Sequence, residues 1–270
     1  MINPRKIAII AGSGKFPLLA AKSAKSNNLK VITLSIISCA DKGIEALSDK
    51  NYWIELGQGQ RLLDIMKQES VTHAIMAGKV NKSVIIRQGI KLDREARAIL
   101  SRVRDKKDDT ILSAVTGRLK EAGIEFLDST VFLKGFMSGK GVLTKKAPDK
   151  RCLQDIKFGF PIAKEMGSLD IGQSVIVKDK SVIAVEAIEG TDEAIKRAGQ
   201  LAGRGGVVIK VSKPNQDMRF DVPVVGLKTV DAMRLSGASV LAMEAGKVLM
   251  LEKADMIQAA NKIKLSIVGV

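Results

Sequence analysis

The feature that most constrains this chain is a repeated order of short apolar run, glycine turn and helical pattern. Lys6–Ala11 (KIAIIA) is followed by Gly12-Ser13-Gly14 and by helical spacing from Pro17 to Lys25. His73–Ala77 is likewise followed by the turn Gly78-Lys79-Val80. Such repetition predicts parallel strands with helices on the faces of the sheet. We therefore expect an α/β fold whose N-terminal domain is Rossmann-like.

The second half alternates again, but with a hairpin pattern that predicts a mixed sheet. Ser174–Lys178 and Val182–Ile188 form a predicted hairpin, and Ser239–Glu244 is expected to pair with Val248–Leu251. Gly135–Pro148 has no clear periodicity, which favours a linker or a loop over a cleft. We therefore predict two α/β domains, an N-terminal one over residues 1–138 and a C-terminal catalytic one over residues 139–270, with a substrate cleft between them.

The charge balance narrows the range of partners. The chain carries 44 Lys and Arg against 29 Asp and Glu, a formal net charge of +15. Such a field attracts nucleic acid, phosphorylated metabolites or an acidic membrane surface, although a lysine-rich solvated surface is an equally good reading. With only 3% aromatic residues, the chain lacks the stacking platforms of a single-strand binder. We therefore expect no nucleic-acid partner.

Cysteine and histidine usage limits the chemistry. Cys39 and Cys152 are far apart, and His73 is the one histidine. A His-based zinc site is excluded, and the cysteine pattern is typical of a reduced, cytoplasmic compartment. No apolar run approaches membrane-spanning length. Carboxylates are therefore the best candidates for catalysis.

The segment Lys213–Gly226 (KPNQDMRFDVPVVG) is the most unusual in charge. Pro214 and Pro223 make a continuous helix across it unfavourable. If it is extended, Asp217, Arg219 and Asp221 share one face of a strand. That pattern suits a divalent cation with an anionic substrate, since Mg²⁺ prefers one or two carboxylates plus phosphate oxygens. A charged edge strand is the alternative.

The glycine turns are the predicted nucleotide site. Backbone N–H groups around Gly12, Ser13 and Gly14 could cradle a phosphate at a helix N-terminus. The turn matches neither common fingerprint, because Pro17 occupies the position of the third glycine of a dinucleotide motif and no Gly-Lys-Ser/Thr ending is present. Gly78 and Lys79 follow another strand, where Lys79 could pair with a phosphate. Ordinary turns without a ligand are the alternative at both places.

Two acidic clusters have both a structural and a functional interpretation. Asp108, Asp109 and Thr110 precede a helix, where carboxylates cap free N–H groups, but Asp109 or Thr110 could instead contact substrate. Glu189-Gly190-Thr191-Asp192 lies between a strand and a helix. Capping and a favourable position in the first helical turn explain Thr191 and Asp192, whereas Glu189 beside Gly190 could be a metal ligand or substrate anchor. All four residues are candidate substrate contacts.

Several of these segments, in this order, resemble the UDP-2,3-diacylglucosamine pyrophosphatases of the LpxI type over essentially the whole chain. The matching pieces are IAGSGKFP at Ile10–Pro17, HAIMAGKV at His73–Val80, DDT at Asp108–Thr110, GVLTKKAP at Gly141–Pro148, LDIGQSVIV at Leu169–Val177, AVEAIEGTD at Ala184–Asp192 and KPNQDMRFDVPVVGLKTV at Lys213–Val230. The last two are the most specific. Ser13 departs from the family, whose members often carry glycine there.

The resemblance implies a reaction and a set of roles. The family hydrolyses the pyrophosphate of UDP-2,3-diacylglucosamine to 2,3-diacylglucosamine 1-phosphate (lipid X) and UMP in lipid A biosynthesis. It requires a divalent cation, usually Mg²⁺, with Mn²⁺ as a substitute, and water attacks the phosphorus next to the sugar. It also implies a homodimer of two-domain subunits that hold substrate between the domains. The family's essential aspartate lies in an R-x-D-x-P motif, which here makes Asp221 that residue.

Residues and resemblance together give one hypothesis. Asp221 is the expected metal ligand or water-activating base, with Asp217 and Glu189 as supporting metal ligands. Arg219, Lys213 and Lys79 are expected to neutralise phosphate charge. The enzyme is expected in the cytoplasm, in peripheral contact with the inner membrane. A nicotinamide-dependent oxidoreductase and a basic protein that binds nucleic acid or anionic membrane are the alternatives.

Overall fold

The computed structural model describes residues 5–80, 90–103 and 108–270, without the side chains of Asp108 and Asp109. Within it the chain divides into two compact units. The first is formed by the chain up to Leu133 and by the short segment Asp217–Phe220. The second is formed by Lys134–Gln216 and Asp221–Val270. The chain therefore leaves the second unit for four residues and then returns to it, next to Asp221.

The first unit is a parallel α/β layer structure. Its elements are β1 (Lys6–Ala11), α1 (Phe16–Ser26), β2 (Lys30–Ile36), a 3-10 helix (Lys42–Leu47), β3 (Lys50–Ile54), α2 (Gly59–Gln68), β4 (His73–Ala77), α3 (Arg94–Ser101), α4 (Asp108–Glu121) and β5 (Glu125–Phe126). The strands form a parallel sheet in the order β3-β2-β1-β4-β5. The strand order reverses between β1 and β4, which is the topological switch point of the sheet.

Burial explains why these runs form central strands. Every residue of β1 after Lys6 and every residue of β2 after Lys30 is buried. Continuous apolar runs of this kind are typical of a parallel sheet that is covered on both faces. Ile65 and Met66 of α2, together with Leu119 of α4, pack into the same apolar cluster as these strands. The Rossmann-like prediction for the first half is confirmed.

The second unit contains a mixed sheet. Its elements are a 3-10 helix (Lys134–Phe136), β6 (Gly141–Val142), α5 (Lys150–Ser168), β7 (Ser174–Lys178), β8 (Ser181–Val185), α6 (Thr191–Ala202), β9 (Val207–Lys210), β10 (Val224–Val225), α7 (Leu227–Ser236), β11 (Val240–Met243), β12 (Leu249–Met250), α8 (Lys253–Lys262) and β13 (Ser266–Gly269). Six strands lie in the order β6-β13-β11-β9-β7-β8, and β10 pairs with β12. Strands β9, β11 and β13 are mutually parallel, whereas β7 is antiparallel to β9.

Helix α5 runs through Pro161, although a proline in a helix interior removes a backbone hydrogen bond and tends to kink or end the helix. Close packing holds the helix on the sheet, because a Cβ built on Gly159 would lie 2.2 Å from Ile209 Cδ1 of β9. Asp149 caps the helix by accepting a hydrogen bond from the Cys152 N–H at 2.8 Å. Good capping and close packing together outweigh the hydrogen bond that a proline removes.

Three sequence expectations for this unit are wrong. Strand β11 pairs with β9 and β13, and β12 pairs with β10, so the predicted hairpin between them does not form. Part of Gly135–Pro148, which was predicted to be a linker or a loop over a cleft, is β6 and pairs with β13. The stretch from Lys213 to Pro223 consists of turns and irregular backbone, and only Val224–Val225 is a strand. All three segments pair or bond with residues far away in the sequence, which periodicity does not report.

Among the described helices, none is both long and apolar enough to cross a membrane.

Candidate active site

The two glycine turns of the first unit are joined at the switch point. The Gly12 N–H donates to the Ala77 carbonyl at 2.8 Å, and the Ser13 N–H donates to the Lys79 carbonyl at 2.8 Å. The Lys79 N–H returns a bond to the Ser13 carbonyl at 3.1 Å. The Ser13 hydroxyl donates to the same Lys79 carbonyl at 2.8 Å. The sequence predicted both turns, but not that each fixes the other.

Close backbone approach explains why glycine stands at two of these positions. A Cβ built on Gly78 would lie 2.5 Å from the backbone carbonyl oxygen of Ser13, and Gly78 has a φ of +88°. A Cβ on Gly12 would lie 2.7 Å from the Lys79 oxygen. Gly14 has a φ of +92° but open space around its Cβ direction. The junction therefore excludes side chains where the two turns cross and leaves room at Gly14.

This geometry changes how the first unit could bind an anion. The N–H groups of Gly12 and Ser13 are already bonded to carbonyls, so a phosphate cradle cannot be built from them. Helix α1 begins at Phe16 without a side-chain cap and without an acidic residue in its first turn. Helix N-termini of this kind favour negative charge. The exposed Lys79 lies in the turn that bonds to Ser13.

The other predicted residues of the first unit are less informative. Thr110 is half-buried in the first turn of α4, while the side chain of Asp109 lies outside the described residues. His73 is placed within β4, as expected, with its Nδ1 2.9 Å from the Thr72 hydroxyl oxygen. Its Nε2 lies 3.8 Å from Glu125 Oε2. These contacts agree with a structural role for His73.

The second unit gathers charged and polar side chains at one edge of its sheet. The edge is where β8, β9, β11 and β13 end and where the antiparallel β7 begins, as the pairing of Ser174 with Lys210 fixes. We call this set the charged edge; its members are Lys164, Gln173, Ser174, Glu186, Lys210, Ser212, Lys213, Gln216, Asp221 and Glu244. Ligands commonly bind beyond the carboxyl ends of strands in open α/β sheets. The charged edge is therefore the candidate catalytic region.

A buried ion pair lies at its centre. Lys210 Nζ is 3.3 Å from Glu186 Oε2, and the two side chains are 5% and 13% exposed. Lys210 also donates to the Thr191 hydroxyl at 2.7 Å and to the Ser174 hydroxyl at 3.1 Å. Thr191 in turn donates to Glu186 Oε1 at 2.8 Å. Burial alone would raise the pKa of Glu186, but Lys210 and the Ser174 and Thr191 hydroxyls together lower it.

A second group lies beside it. Glu244 Oε2 accepts from the Ser212 N–H at 2.8 Å and from the Ser212 hydroxyl at 2.9 Å. Lys164 Nζ lies 3.0 Å from the same oxygen and donates to the Ser212 carbonyl at 2.8 Å. Burial acts to raise the pKa of Glu244, and the Ser212 N–H and the Lys164 ammonium outweigh it, so that the net shift is downward. Glu244 is thus held as a carboxylate.

Asp221 is the third and most accessible part of the charged edge. Its Oδ2 accepts from Gln173 Nε2 and from Gln216 Nε2, both at 2.8 Å. Lys213 Nζ lies 3.4 Å from the same oxygen and 2.5 Å from Asp170 Oδ1. The Asp221 side chain remains 39% exposed. A carboxylate held by donors on one oxygen and open to solvent can meet water or a phosphate group.

Asp217 and Arg219 form a separate pair within the first unit. Arg219 Nη2 lies 2.6 Å from Asp217 Oδ2, and Arg219 Nε lies 2.9 Å from Asp217 Oδ1. This pairing lowers the pKa of Asp217. Ser129 holds the segment, its N–H donating to the Met218 carbonyl at 3.0 Å and its hydroxyl donating to the Arg219 carbonyl at 2.7 Å. The shared strand face predicted for Asp217, Arg219 and Asp221 is therefore wrong, because turns replace the strand.

The predicted metal-ligand set is not assembled. Glu189 pairs with Arg197 at 2.6 Å, and Asp217 is occupied by Arg219. Over residues 5–80, 90–103 and 108–270, no group of three or more His, Cys, Asp or Glu side chains is arranged to hold a metal ion. Asp217, Asp221 and Glu189 together do not fit a metal. Asp221 alone can be one carboxylate ligand of an ion otherwise bound by phosphate oxygens.

The Glu189–Asp192 loop has mainly structural contacts. Gly190 precedes α6 with a φ of +87°, which explains the glycine. Asp192 Oδ1 accepts from the Thr229 hydroxyl at 2.9 Å, so it links α6 to α7. The pKa of Glu189 is lowered by its own backbone N–H and then by Arg197. The capping interpretation of Thr191 is wrong, because Gly190 is the N-cap residue and no side chain caps α6. The Thr191 hydroxyl instead donates to Glu186 and accepts from Lys210.

Sequence reasoning missed most of the charged edge. Four of the missed residues stand at or just beyond the end of an apolar run, namely Glu186, Lys210, Ser212 and Glu244, whereas Gln173 stands two residues before the run Val175–Val177. A lysine that ends the run Val207–Ile209 is the one usable signal, since a lysine next to a buried strand needs a partner. Nothing in the spacing shows which carboxylate that partner is.

Taken together, the fold and site define a two-unit α/β protein with a switch-point turn junction in one unit and a carboxylate- and lysine-lined sheet edge in the other. A family model described as the LpxI N-terminal domain matches residues 6–136, and one described as the LpxI C-terminal domain matches residues 139–268. The chain belongs to the LpxI family.

One curated relative matches over almost the full length of both chains. It is the UDP-2,3-diacylglucosamine pyrophosphatase LpxI of Caulobacter vibrioides, which is 28% identical over 98% of this chain and 98% of its own. The resemblance inferred from the sequence is confirmed.

Solved structures give only distant likenesses. The biotin carboxylase domain of Hydrogenobacter thermophilus 2-oxoglutarate carboxylase is 12% identical, with a TM-score of 0.27, over 76% of this chain and 43% of that chain. N5-carboxyaminoimidazole synthetase of Staphylococcus aureus, in complex with ADP, is 12% identical, also with a TM-score of 0.27, over 80% of this chain and 69% of that chain. Likenesses at this TM-score are too weak to indicate a shared fold.

Proposed function

We propose that this protein hydrolyses the pyrophosphate bond of UDP-2,3-diacylglucosamine to 2,3-diacylglucosamine 1-phosphate and UMP, a step of lipid A biosynthesis. Membership of the LpxI family and the Caulobacter relative support the substrate class. The observation that carries the chemistry is Asp221, whose Oδ2 is bonded to two amide donors at 2.8 Å while its side chain stays 39% exposed.

The reaction consumes one water and breaks one P–O bond of the pyrophosphate. Water attacks the phosphorus next to the sugar, and UMP leaves with the bridging oxygen. Asp221 either accepts the proton of the attacking water or orients that water. Lys213, 3.4 Å from Asp221 Oδ2, can neutralise charge that develops on the phosphate oxygens. Arg219 has the same role, and Asp217 holds its guanidinium in a fixed orientation.

Mg²⁺, or Mn²⁺ in its place, is part of the proposal. Asp221 would hold the ion together with phosphate oxygens of the substrate, the ligand set that Mg²⁺ commonly takes. The ion would supply charge neutralisation at the pyrophosphate. Asp217 and Glu189 are excluded from this ligand set, because Arg219 and Arg197 already bind their carboxylates.

The first unit is proposed to bind the uridine nucleotide. The α1 N-terminus and Lys79 lie next to the Gly12–Gly14 and Gly78 turns, at the switch point between β1 and β4. A basic chain with a net charge of +15 suits a pyrophosphate-bearing substrate. A homodimer in the cytoplasm, in peripheral contact with the inner membrane, completes the proposal, since the substrate is a diacylated sugar nucleotide.

Family membership favours the hydrolase over both alternatives. A nicotinamide-dependent oxidoreductase would need the dinucleotide fingerprint, which Pro17 interrupts. A protein that binds nucleic acid or membrane by charge alone would not need the buried Lys210–Glu186 ion pair of the charged edge. Neither alternative has support from the family match.

The test is incubation of the purified chain with UDP-2,3-diacylglucosamine, with Mg²⁺ or with excess EDTA, and measurement of UMP. We expect release of UMP that requires Mg²⁺ and yields an equal amount of 2,3-diacylglucosamine 1-phosphate. No release of UMP under either condition contradicts the proposed function. Release at the same rate in EDTA contradicts only the metal requirement.

A further inference from the structure

Asp221 is held asymmetrically by its neighbours. The amide nitrogens of Gln173 and Gln216 both donate to Oδ2 at 2.8 Å, and Lys213 Nζ lies 3.4 Å from that same oxygen. None of these three contacts engages Oδ1. A carboxylate gripped through one oxygen has a fixed rotation, so its other oxygen points in a defined direction.

The Gln173 amide is oriented at a cost. Its Oε1 is buried and has no hydrogen-bond partner among the residues that the structure describes. A buried unpaired acceptor is unfavourable and rare in native structures. Turning the amide over would place Oε1 against the Asp221 carboxylate, where two acceptors repel. The amide therefore supplies a donor to Asp221 rather than satisfying both of its own atoms.

The backbone around Gln173 keeps this donor in place. The Gln173 carbonyl accepts from the Val211 N–H at 2.9 Å, at the start of β7. The preceding Gly172 packs so closely that a Cβ there would lie 2.0 Å from the backbone carbonyl oxygen of Glu186. The donor thus stands on a part of the chain with little freedom to shift.

Gln216 fixes Asp221 from the other side. Its Oε1 accepts from the Lys213 N–H at 2.8 Å, and its Nε2 donates to the Asp221 backbone oxygen at 2.6 Å as well as to Oδ2. The Gln216 N–H also donates to the Lys213 carbonyl at 3.1 Å. One side chain thereby ties the turn at Lys213 to both the main chain and the side chain of Asp221.

We infer that Gln173 and Gln216 are positioning residues that clamp Oδ2 of Asp221 and thereby aim Oδ1 at the reacting water or phosphate. The inference rests on the proposed function, because it explains how Asp221, the residue on which that function depends, is oriented. Catalysis is sensitive to such aim, since a displacement of about 1 Å can cost on the order of 100-fold in rate. The clamp should therefore affect turnover more than substrate binding.

Gln173→Met is the sharpest test, because methionine has similar length, no donor and no buried unpaired oxygen. We expect kcat to fall by about 10- to 100-fold, KM for UDP-2,3-diacylglucosamine to stay within about threefold, and the thermal midpoint to stay equal or rise. Gln60→Met is the matched control, since Gln60 Nε2 donates to Asp64 Oδ1 at 2.9 Å on the exposed surface of α2. Its kcat should match the wild type.

Gln216→Glu gives a second, independent reading. Glutamate keeps the acceptor for the Lys213 N–H, but a carboxylate oxygen replaces the amide nitrogen that donates to Asp221. We expect the same selective fall in kcat. Unchanged kcat in both variants overturns the inference, as does a fall in kcat that only accompanies loss of folded protein. If the wild type releases no UMP, the proposed function fails and this inference fails with it; if the wild type is active and both variants match it, only this inference fails.

Discussion

At the end of β1 the first unit closes its sheet edge with backbone: Gly12 and Ser13 donate to the carbonyls of Ala77 and Lys79. At the end of β9 in the second unit, side chains occupy the sheet edge. Lys210 and Glu186 form an ion pair, the Thr191 hydroxyl accepts from Lys210, and the Ser212 hydroxyl donates to Glu244. The first turn of α1, next to the first edge, has no acidic side chain. At the second edge, the pKa values of Glu186 and Glu244 lie below their ordinary value.

Under the proposed function, this difference corresponds to different tasks at similar positions in the two sheets. A backbone junction has no titratable group, and it can hold the α1 N-terminus and Lys79 in place for the proposed nucleotide. An edge of fixed carboxylates and ammonium groups can place charge and accept protons, which suits chemistry. The same contrast predicts different responses to substitution: loss of shape and binding in the first unit, loss of charge balance or turnover in the second.

The largest expected effect is on turnover. Asp221→Asn keeps the shape of the side chain but removes the negative charge, so kcat should fall by about 10²- to 10⁴-fold. Steady-state rates of UMP release measure it. The matched control is Asp231→Asn, whose wild-type carboxylate pairs with Arg234 at 2.7 Å on the surface of α7. Full turnover by Asp221→Asn would remove the catalytic role of the charged edge.

The largest expected effect on stability is at the buried pair. Lys210→Met leaves Glu186 buried without its ammonium partner, and breaking such pairs costs about 3–5 kcal/mol. Urea unfolding measures the loss, and adding Glu186→Leu to Lys210→Met should restore a large part of it. The control Lys196→Met removes an exposed partner of Glu193 and should change stability little. If Lys210→Met and Lys196→Met lose the same free energy of unfolding, the stabilising role of the buried Lys210–Glu186 pair is contradicted.

In the first unit the junction should respond to shape. Gly78→Ala adds a Cβ 2.5 Å from the Ser13 oxygen at a φ of +88°. The destabilisation should exceed the roughly 1–2 kcal/mol that a positive φ alone costs a side chain, and binding of UMP should weaken. Gly14→Ala is the comparison, because its Cβ meets open space at a φ of +92°. Urea unfolding measures the loss of stability, and calorimetric titration measures the affinity for UMP. If Gly78→Ala loses less stability and less UMP affinity than Gly14→Ala, the close approach of the two turns is contradicted.

The smallest effect is a pH dependence confined to the second unit's carboxylates. The pKa of Glu186 in the folded protein lies below its ordinary value of 4.5, despite burial, because Lys210 and two hydroxyl groups stabilise the carboxylate. Its contribution to stability is therefore present above pH 4.5 and lost as the pH falls through the lower folded pKa. The stability difference between the wild type and Glu186→Gln should shrink below pH 4.5. A difference that stays constant from pH 7 to 3 would show that Glu186 does not titrate with folding.

The sequence predicted the first unit well because its signals are local. A buried strand, a glycine turn and a helical pattern each lie within a few residues, and their repetition predicts a parallel sheet. The second sheet depends on pairing between distant strands, so the predicted partner of β11 was wrong. The domain boundary predicted at 138/139 stays a prediction, as does the cleft between the domains, while the exchange of Asp217–Phe220 into the first unit left no signal in the spacing.

At the site, residue identity was easier to predict than grouping. Asp221, Lys213 and Arg219 were singled out by charge and by the family motif, but period-two spacing wrongly put Asp217 and Asp221 on one face. Turns at Pro214 and Arg219 break that period. Gln173 and Gln216 carry no charge and lie outside any catalytic pattern, so only the folded structure brings them to Asp221.

The division between recognition and chemistry is tested most directly by measuring the affinity for UMP and the turnover of the same variant. Asp221→Asn should bind UMP with a dissociation constant within about twofold of the wild type, while its kcat for UDP-2,3-diacylglucosamine falls by about 10²- to 10⁴-fold. A parallel loss of UMP binding and turnover, or retention of turnover, would contradict the proposal that the charged edge supplies the chemistry and that the α1 N-terminus and Lys79 bind the nucleotide.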